Sequence, residues 1–313
     1  MSFVFSLIIC TYNRAALLEV CLKSITQADA PSCDWELLVV DNDSPDATSR
    51  VLQDFQKIFS PLRQEHVTER NLCVARNLGC ARARGAYLVY LDDDAKIPVD
   101  YLVNLERRLA EHAPDIMSGP VYPYYSTRKP AWFRDAYETK KFVAVSGFSD
   151  QPRIATGANF IIRKSVLEGL GGFDPKWGMQ AEKYVIGDER KVVDAYRRTT
   201  PKNEQKVFYA LDCAVQHHVD PRKLRFSYFL YRYFVSGFST KAISQELGEK
   251  PLPLRVAFRE IAGLPFRFVR RLLDERKRDD RDFAMVCALA VMSLGELVRT
   301  CSLHLRHFSR HRR

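Results

Sequence analysis

The chain has 313 residues, is 46% hydrophobic and carries 48 Lys+Arg against 38 Asp+Glu. That length buries a good core in one large domain, or in a domain with an appendage, and the absence of internal repeats or low-complexity tracts excludes solenoid architectures. Its eight cysteines show no metal-ligand spacing, and there is no charged leader or 20-residue apolar span, so the chain reads as a protein of a reducing cytoplasm without a signal peptide or transmembrane helix.

Val4 to Cys10 is an apolar, β-favouring run that opens into Thr11, Tyr12, Asn13 and Arg14. Leu17, Leu18, Cys21, Leu22 and Ile25 then recur at helical spacing. Trp35 to Val40 is a second apolar run, and it ends in Asp41, Asn42 and Asp43. Asn71 to Gly85 again has helical periodicity, with Gly85 placed as a helix stop. A third run, Tyr87 to Leu91, empties into Asp92, Asp93 and Asp94. Three strands thus end in polar groups at one edge, each followed by a helical segment, which predicts a parallel sheet with a nucleotide-sized crevice at its carboxyl ends. Carboxylates there suit a hard divalent cation that bridges to phosphate oxygens.

Further along, the aromatic and proline-bearing segment 122–141 reads as a loop, whose Trp132 and Phe133 either stack on a sugar or pin the loop to the core. Gly157 permits close backbone approach to a sugar, and Asn159 offers a donor and an acceptor to hydroxyls. Gly171 to Pro175 reads as a tight turn, and Trp177 beyond it as either an acceptor contact or a core residue. If Cys213 to Val219 is extended, His217 and His218 face opposite ways.

The ordered set SLIICTYNR, VVDNDS, NLCVARNLG, LDDDA, TGANFIIR, GGFDP and VQHHV resembles the family 2 glycosyltransferases of bacterial surface-polysaccharide type. The resemblance spans roughly residues 4 to 240. It implies an α/β, GT-A-type Rossmann-like sheet with helices on both faces, and a reaction that moves a sugar from a nucleotide diphosphate sugar to a glycan or lipid-linked hydroxyl. It also implies site residues. Thr11, Tyr12, Asn13 and Arg14 would line the nucleoside pocket, Asp41 would accept a hydrogen bond from the base, and Arg76 would lie near the diphosphate. In the DXD pattern, Asp92 would face the ribose and Asp94 would hold Mn2+ or Mg2+. Asp93 belongs to the same nucleotide-sugar-binding stretch but alternates to the opposite side, so it is the triplet member least expected to touch ligand. His217 would be the second metal ligand, a role open to a neutral imidazole.

The family commonly has Glu-Asp or Glu-Glu shortly after GGFDP, whereas this chain has Asp188 and Glu189 in inverted order, followed by Arg190 and Lys191. Aligned on Gly187, Glu189 takes the position of the catalytic base and Asp188 that of its support. The two cations would hold a carboxylate ionised while lowering its basicity.

Residues 1–220 divide into a nucleotide-binding half, to about residue 95, and an acceptor half. Residues 221–313 form a basic, helical C-terminal region with 20 Lys+Arg against 9 Asp+Glu, which holds the whole basic excess of the chain. There the charges interleave with apolar residues, as in Leu264 to Leu273 and Phe283 to Met292. This is either a packed helical subdomain or a peripheral contact with anionic lipid on the inner face of the cell membrane; no nucleic-acid-binding motif accompanies it. Two other functions compete with sugar transfer. A sugar nucleotidyltransferase would carry a glycine-rich loop after the first strand, where this chain has CTYNRAALL. The inverted acidic pair would also suit a non-catalytic glycan- or membrane-binding relative.

Overall fold

The computed structural model describes residues 4–246, except 152–153, 177–178, 181–182 and 185–186, together with residues 287, 288, 291 and 294. The first half alternates strand and helix: β1 (Phe5–Thr11), α1 (Ala15–Thr26), β2 (Trp35–Asp41), α2 (Thr48–Gln56), β3 (Leu62–His66), α3 (Leu72–Arg82) and β4 (Tyr87–Asp92). There follow β5 (Ala95–Lys96), α4 (Tyr101–His112), β6 (Ile116–Ser118), β7 (Val121–Tyr124), β8 (Gly147–Phe148), β9 (Asn159–Arg163) and α5 (Lys164–Gly169). The rest comprises β10 (Met179–Gln180), β11 (Lys183–Tyr184), α6 (Asp188–Thr199), β12 (Val207–Tyr209), β13 (Val215–His218) and α7 (Phe226–Glu246).

Among the described residues the main sheet runs β3-β2-β1-β4-β9-β6-β12-β8. β1, β2 and β4 are parallel, as the sequence predicts, and β3, which it did not mark, adds a fourth parallel strand beside β2. β9 enters antiparallel between β4 and β6 and makes the sheet mixed. The period of two along each strand then divides the core. Leu7 and Ile9 face a layer containing Leu18, Leu22, Leu52, Tyr101 and Leu105 from α1, α2 and α4. Ile8 faces Cys73, Cys80, Leu167, Val192 and Tyr196 from α3, α5 and α6. Strands covered on both sides read as unbroken apolar runs because neither face meets water. Gly85 is a glycine for another reason than a helix stop. α3 already ends at Arg82, and a Cβ on Gly85 would collide with the β1 backbone at Phe5 and Ser6.

The chain falls into two compact units, one of residues Met1–Tyr124 and Glu138–His218, the other of Tyr125–Tyr137 and Val219–Arg313. Within the second, Phe133, Tyr137, Val219, Leu224 and Phe229 are buried together, and Trp132 lies edge-on to Phe229 at 5.4 Å between ring centroids. Phe133 therefore pins this segment to a core, and Trp132, half-buried, packs against it. The stretches Leu264–Leu273 and Phe283–Met292 lie outside the described residues apart from Cys287, Ala288 and Val291. Among the described residues no helix is long and apolar enough to cross a membrane.

Candidate active site

Parallel register aligns three strand ends: Thr11 lies opposite Asp41, and Cys10 opposite Asp92. The acidic triplet turns at this edge into β5, which pairs antiparallel with β13 so that Ala95 faces His217. The His218 amide also donates to the Asp94 carbonyl at 3.0 Å. This pairing carries His217 across more than a hundred residues of sequence to the triplet. Its Nε2 stands 3.1 Å from Asp94 Oδ1 and 3.3 Å from Asp92 Oδ2. Its Nδ1 lies 3.1 Å from the His218 carbonyl. His218 turns away, buried against the Tyr124 ring, as the strand phase predicts.

Asp92, Asp94 and His217 each offer an atom within 4.8 Å of the others'. Asp94 Oδ1 is buried and accepts no hydrogen bond, so a carboxylate oxygen is directed at the imidazole without a donor of its own. The charges fit a cation as well. Asp92, Asp93, Asp94 and Asp188 meet the guanidinium groups of Arg14 and Arg76, which leaves two formal negative charges for a divalent ion to offset. Carboxylate oxygens with one imidazole make a donor set that suits a Mn-like ion. Burial would raise the Asp92 carboxyl, but the His217 hydrogen bond, with Arg76 and Arg14, outweighs it and holds the group below the usual range.

Asp93 is only 4% exposed and is occupied by protein. Its carboxylate accepts from the Thr11 hydroxyl at 2.8 Å and from Arg14 at 2.7 Å. Burial pushes it up to about 6, with Arg14 opposing and Asp94 adding. Asp93 is thus taken up by Thr11 and Arg14, in keeping with its alternation to the opposite side. One expectation is corrected here: Thr11, 2% exposed, meets Asp93 with its side chain and does not turn it outward. Arg14 spans Asp93 and, at 3.0 Å, Asp94. Tyr12 and Asn13 are exposed at the same edge, Asn13 with a left-handed φ of 54°, and Asp41 caps the turn by accepting from the Ser44 amide at 3.0 Å. Arg70, which the sequence did not single out, lies over the Tyr12 ring at 5.2 Å.

Arg76 departs furthest from expectation. It is 4% exposed, beneath the sheet edge, where it pairs with Asp188 and lies 3.6 Å from Asp92. Its guanidinium stacks over Phe173 at 5.4 Å. The TGAN and GGF motifs close around it and its neighbour. A Cβ on Gly157 would stand 2.6 Å from the Arg76 guanidinium, so this glycine makes room for an arginine. Asn77 donates to the Phe173 carbonyl and accepts from its amide, both at 2.8 Å, with Gly171 and Gly172 at φ of 83° and 81°. Asn159 is fully buried: its amide donates to the Cys213 carbonyl at 2.7 Å and accepts from the Tyr101 hydroxyl at 2.8 Å. It braces β9 in the core and offers nothing to an acceptor, because both ends of its side-chain amide are already bonded. Trp177 lies outside the described residues.

Gly187, at a φ of 107°, starts α6, and Asp188 and Glu189 occupy its first turn, where the helix dipole favours acids. Burial alone would raise Asp188, but Arg76 against it more than offsets this and holds it low. Glu189 goes the other way, pushed well up by burial and then by the adjoining Asp188 carboxylate. The following cations do not set its state as expected. Arg190 reaches Asp194 at 3.5 Å and Lys191 reaches Asp174 at 3.8 Å.

The Glycosyl transferase family 2 model matches residues 6–171, more than half of the chain. The chain aligns with the mannosyltransferase PcManGT from Pyrobaculum calidifontis, solved with GDP-Man and Mn2+, at a TM-score of 0.56 and 17% identity, over 95% of this chain and 88% of that one. It aligns with S. aureus TarS 1-349 in complex with UDP-GlcNAc at a TM-score of 0.55 and 16% identity, over 94% and 90% of the two chains. The fold is therefore that of the GT-A glycosyltransferases. The chain belongs to glycosyltransferase family 2. Among its relatives is the glucosyl-dolichyl phosphate glucuronosyltransferase of Haloferax volcanii, 24% identical over 76% of each chain. Another is the succinoglycan biosynthesis protein ExoM of Rhizobium meliloti, 29% identical over 40% of this chain and 41% of that one.

Proposed function

We propose that this chain is a metal-dependent, inverting glycosyltransferase that moves a sugar from a nucleotide diphosphate sugar to a hydroxyl of a glycan or lipid-linked acceptor. The convergence of Asp92, Asp94 and His217 beside a carboxyl of raised basicity, Glu189, carries this reading. The GDP-Man and Mn2+ named with the Pyrobaculum neighbour, and the UDP-GlcNAc named with TarS, support the donor class and the ion type.

When bound by Asp94, His217 and Asp92, a divalent cation supplies positive charge against the leaving diphosphate. The chain's own residues do the rest. Arg14 keeps Asp94 oriented through its second oxygen. Tyr12, exposed at the strand edge, offers a ring face to the nucleobase, and Asp41 an acceptor to its edge. Glu189, once ionised, takes the proton of the acceptor hydroxyl. That oxygen bonds to the anomeric carbon as the bond from carbon to the diphosphate oxygen breaks, in one displacement that inverts the centre. Its raised pKa makes it a stronger base than an exposed glutamate.

The names of the relatives support a setting in the assembly of surface polysaccharide or lipid-linked glycan. A cytoplasmic enzyme, held against the inner membrane face by its basic C-terminal third, fits the charge distribution. Hydrolysis of a panel of nucleotide sugars, with and without Mn2+, tests the reading. Release of nucleoside diphosphate from at least one donor, dependent on metal and on Asp94, is expected; equal rates with and without metal would overturn metal dependence.

A further inference from the structure

Arg76 joins two halves of the site that nothing else among the described residues connects so directly. One end of its guanidinium pairs with Asp188, beside the base; the other lies 3.6 Å from Asp92, beside the metal group. The side chain is 4% exposed. Its place is set on three sides: Phe173 lies under the guanidinium at 5.4 Å, the Tyr90 hydroxyl holds the Arg76 carbonyl at 3.1 Å, and Gly157 leaves space where any Cβ would intrude at 2.6 Å. A planar fork with several N–H groups can serve two carboxylates at once, which a lysine ammonium does not reproduce.

We infer that Arg76 is a positioning residue that couples the cation site to the base: its charge is shared between Asp92 and Asp188, so a change at one carboxylate alters the other. The inference rests on the metal-dependent reading above. It makes a signed prediction. Neutralising Asp188 leaves the guanidinium to pair wholly with Asp92, where it competes with an incoming cation, so a substitution at the start of α6 weakens metal binding through a residue that touches no metal.

The experiment is Mn2+ titration by calorimetry on the full chain, with no donor or acceptor present. Asp188→Asn should weaken Mn2+ about tenfold, at the low end of what outer partners of metal ligands supply. In an Arg76→Met background, Asp188→Asn should have no further effect, whereas a merely structural role would give additive losses. If Arg76→Met fails to fold, Arg76→Lys, which keeps the charge but loses the planar fork, takes its place and should likewise shrink the effect of Asp188→Asn. Wild-type affinity in folded Asp188→Asn, or additive losses, would overturn the coupling alone. Absence of Mn2+ binding by the unaltered chain would overturn the metal reading, and the coupling with it.

Discussion

His217 Nε2 lies 3.1 Å from Asp94 Oδ1, a buried oxygen that accepts no hydrogen bond in the protein. The two residues are held together by the pairing of β5 with β13, so neither can leave without breaking a ladder. Asp94→Ala should therefore abolish Mn2+ binding, and His217→Ala should weaken it at least tenfold, more than His218→Ala does. Calorimetry would check this; equal effects of the two histidines would contradict the strand phase.

A resident cation should also stabilise the fold by mass action. At about 100 times its Kd the gain is ~2.7 kcal/mol, a rise in Tm of roughly 5 °C or more for a domain of this size. Scanning calorimetry with Mn2+ and then with a chelator should show the rise and its reversal. Asp94→Ala should show neither.

Glu189 binds its proton more tightly than an ordinary glutamate because of burial and then the Asp188 charge. A base works only when ionised, so kcat should climb about tenfold per pH unit below the Glu189 pKa and then level off. Stability has the opposite trend: a carboxyl raised in the native state contributes less as pH rises through that range. Glu189→Gln should lower kcat by ~100-fold or more with donor affinity nearly intact. If Asp188→Asn carried that loss and Glu189→Gln did not, the roles would be exchanged.

Asn159→Ala should act on the fold and not on the chemistry. It leaves the Cys213 carbonyl and the Tyr101 hydroxyl without partners in the core, at a cost of about 2–4 kcal/mol. Denaturant unfolding should show the loss, while the Kd for a nucleoside diphosphate stays within about twofold of wild type. A large change in Kd would return Asn159 to the binding surface.

The basic third of the chain predicts adsorption to anionic vesicles. Each basic residue near such a surface contributes about 1 kcal/mol, and the attraction fades as salt shortens the Debye length. Co-sedimentation with phosphatidylserine vesicles at low salt should exceed that with neutral lipid and fall at ~0.5 M salt, where screening is within a few ångström. Equal pelleting with both would leave the charge to solvation alone.

Much of the site was legible in the chain because its motifs are local. Tyr87–Leu91 running into Asp92–Asp94 marks a strand end at a crevice wherever the strand lies; alternation puts His217 and His218 on opposite faces, and the family resemblance points to His217. Asn71, ahead of a helical run, accepts from the Cys73 amide at 2.9 Å, the capping role its residue type favours. Residues whose partners are distant in sequence were not legible in this way. Asn159 and Gly157 carry the right residue types for a sugar site, yet one is spent on Cys213 and Tyr101 and the other makes room for Arg76.

The sequence by itself determined that Val4–Cys10, Trp35–Val40 and Tyr87–Leu91 are strands whose polar ends share an edge, and which residue types could hold a cation or take a proton. Apolar run length and period report burial directly, and the residue types report chemistry. Only the tertiary structure decided where the charges pair. Arg76 came to lie between Asp92 and Asp188, Arg14 across Asp93 and Asp94, and the cations after Glu189 on other acids. An ion pair depends on distances of a few ångström between side chains far apart in the chain, and those are set by sheet order and by the glycines at 157 and 172.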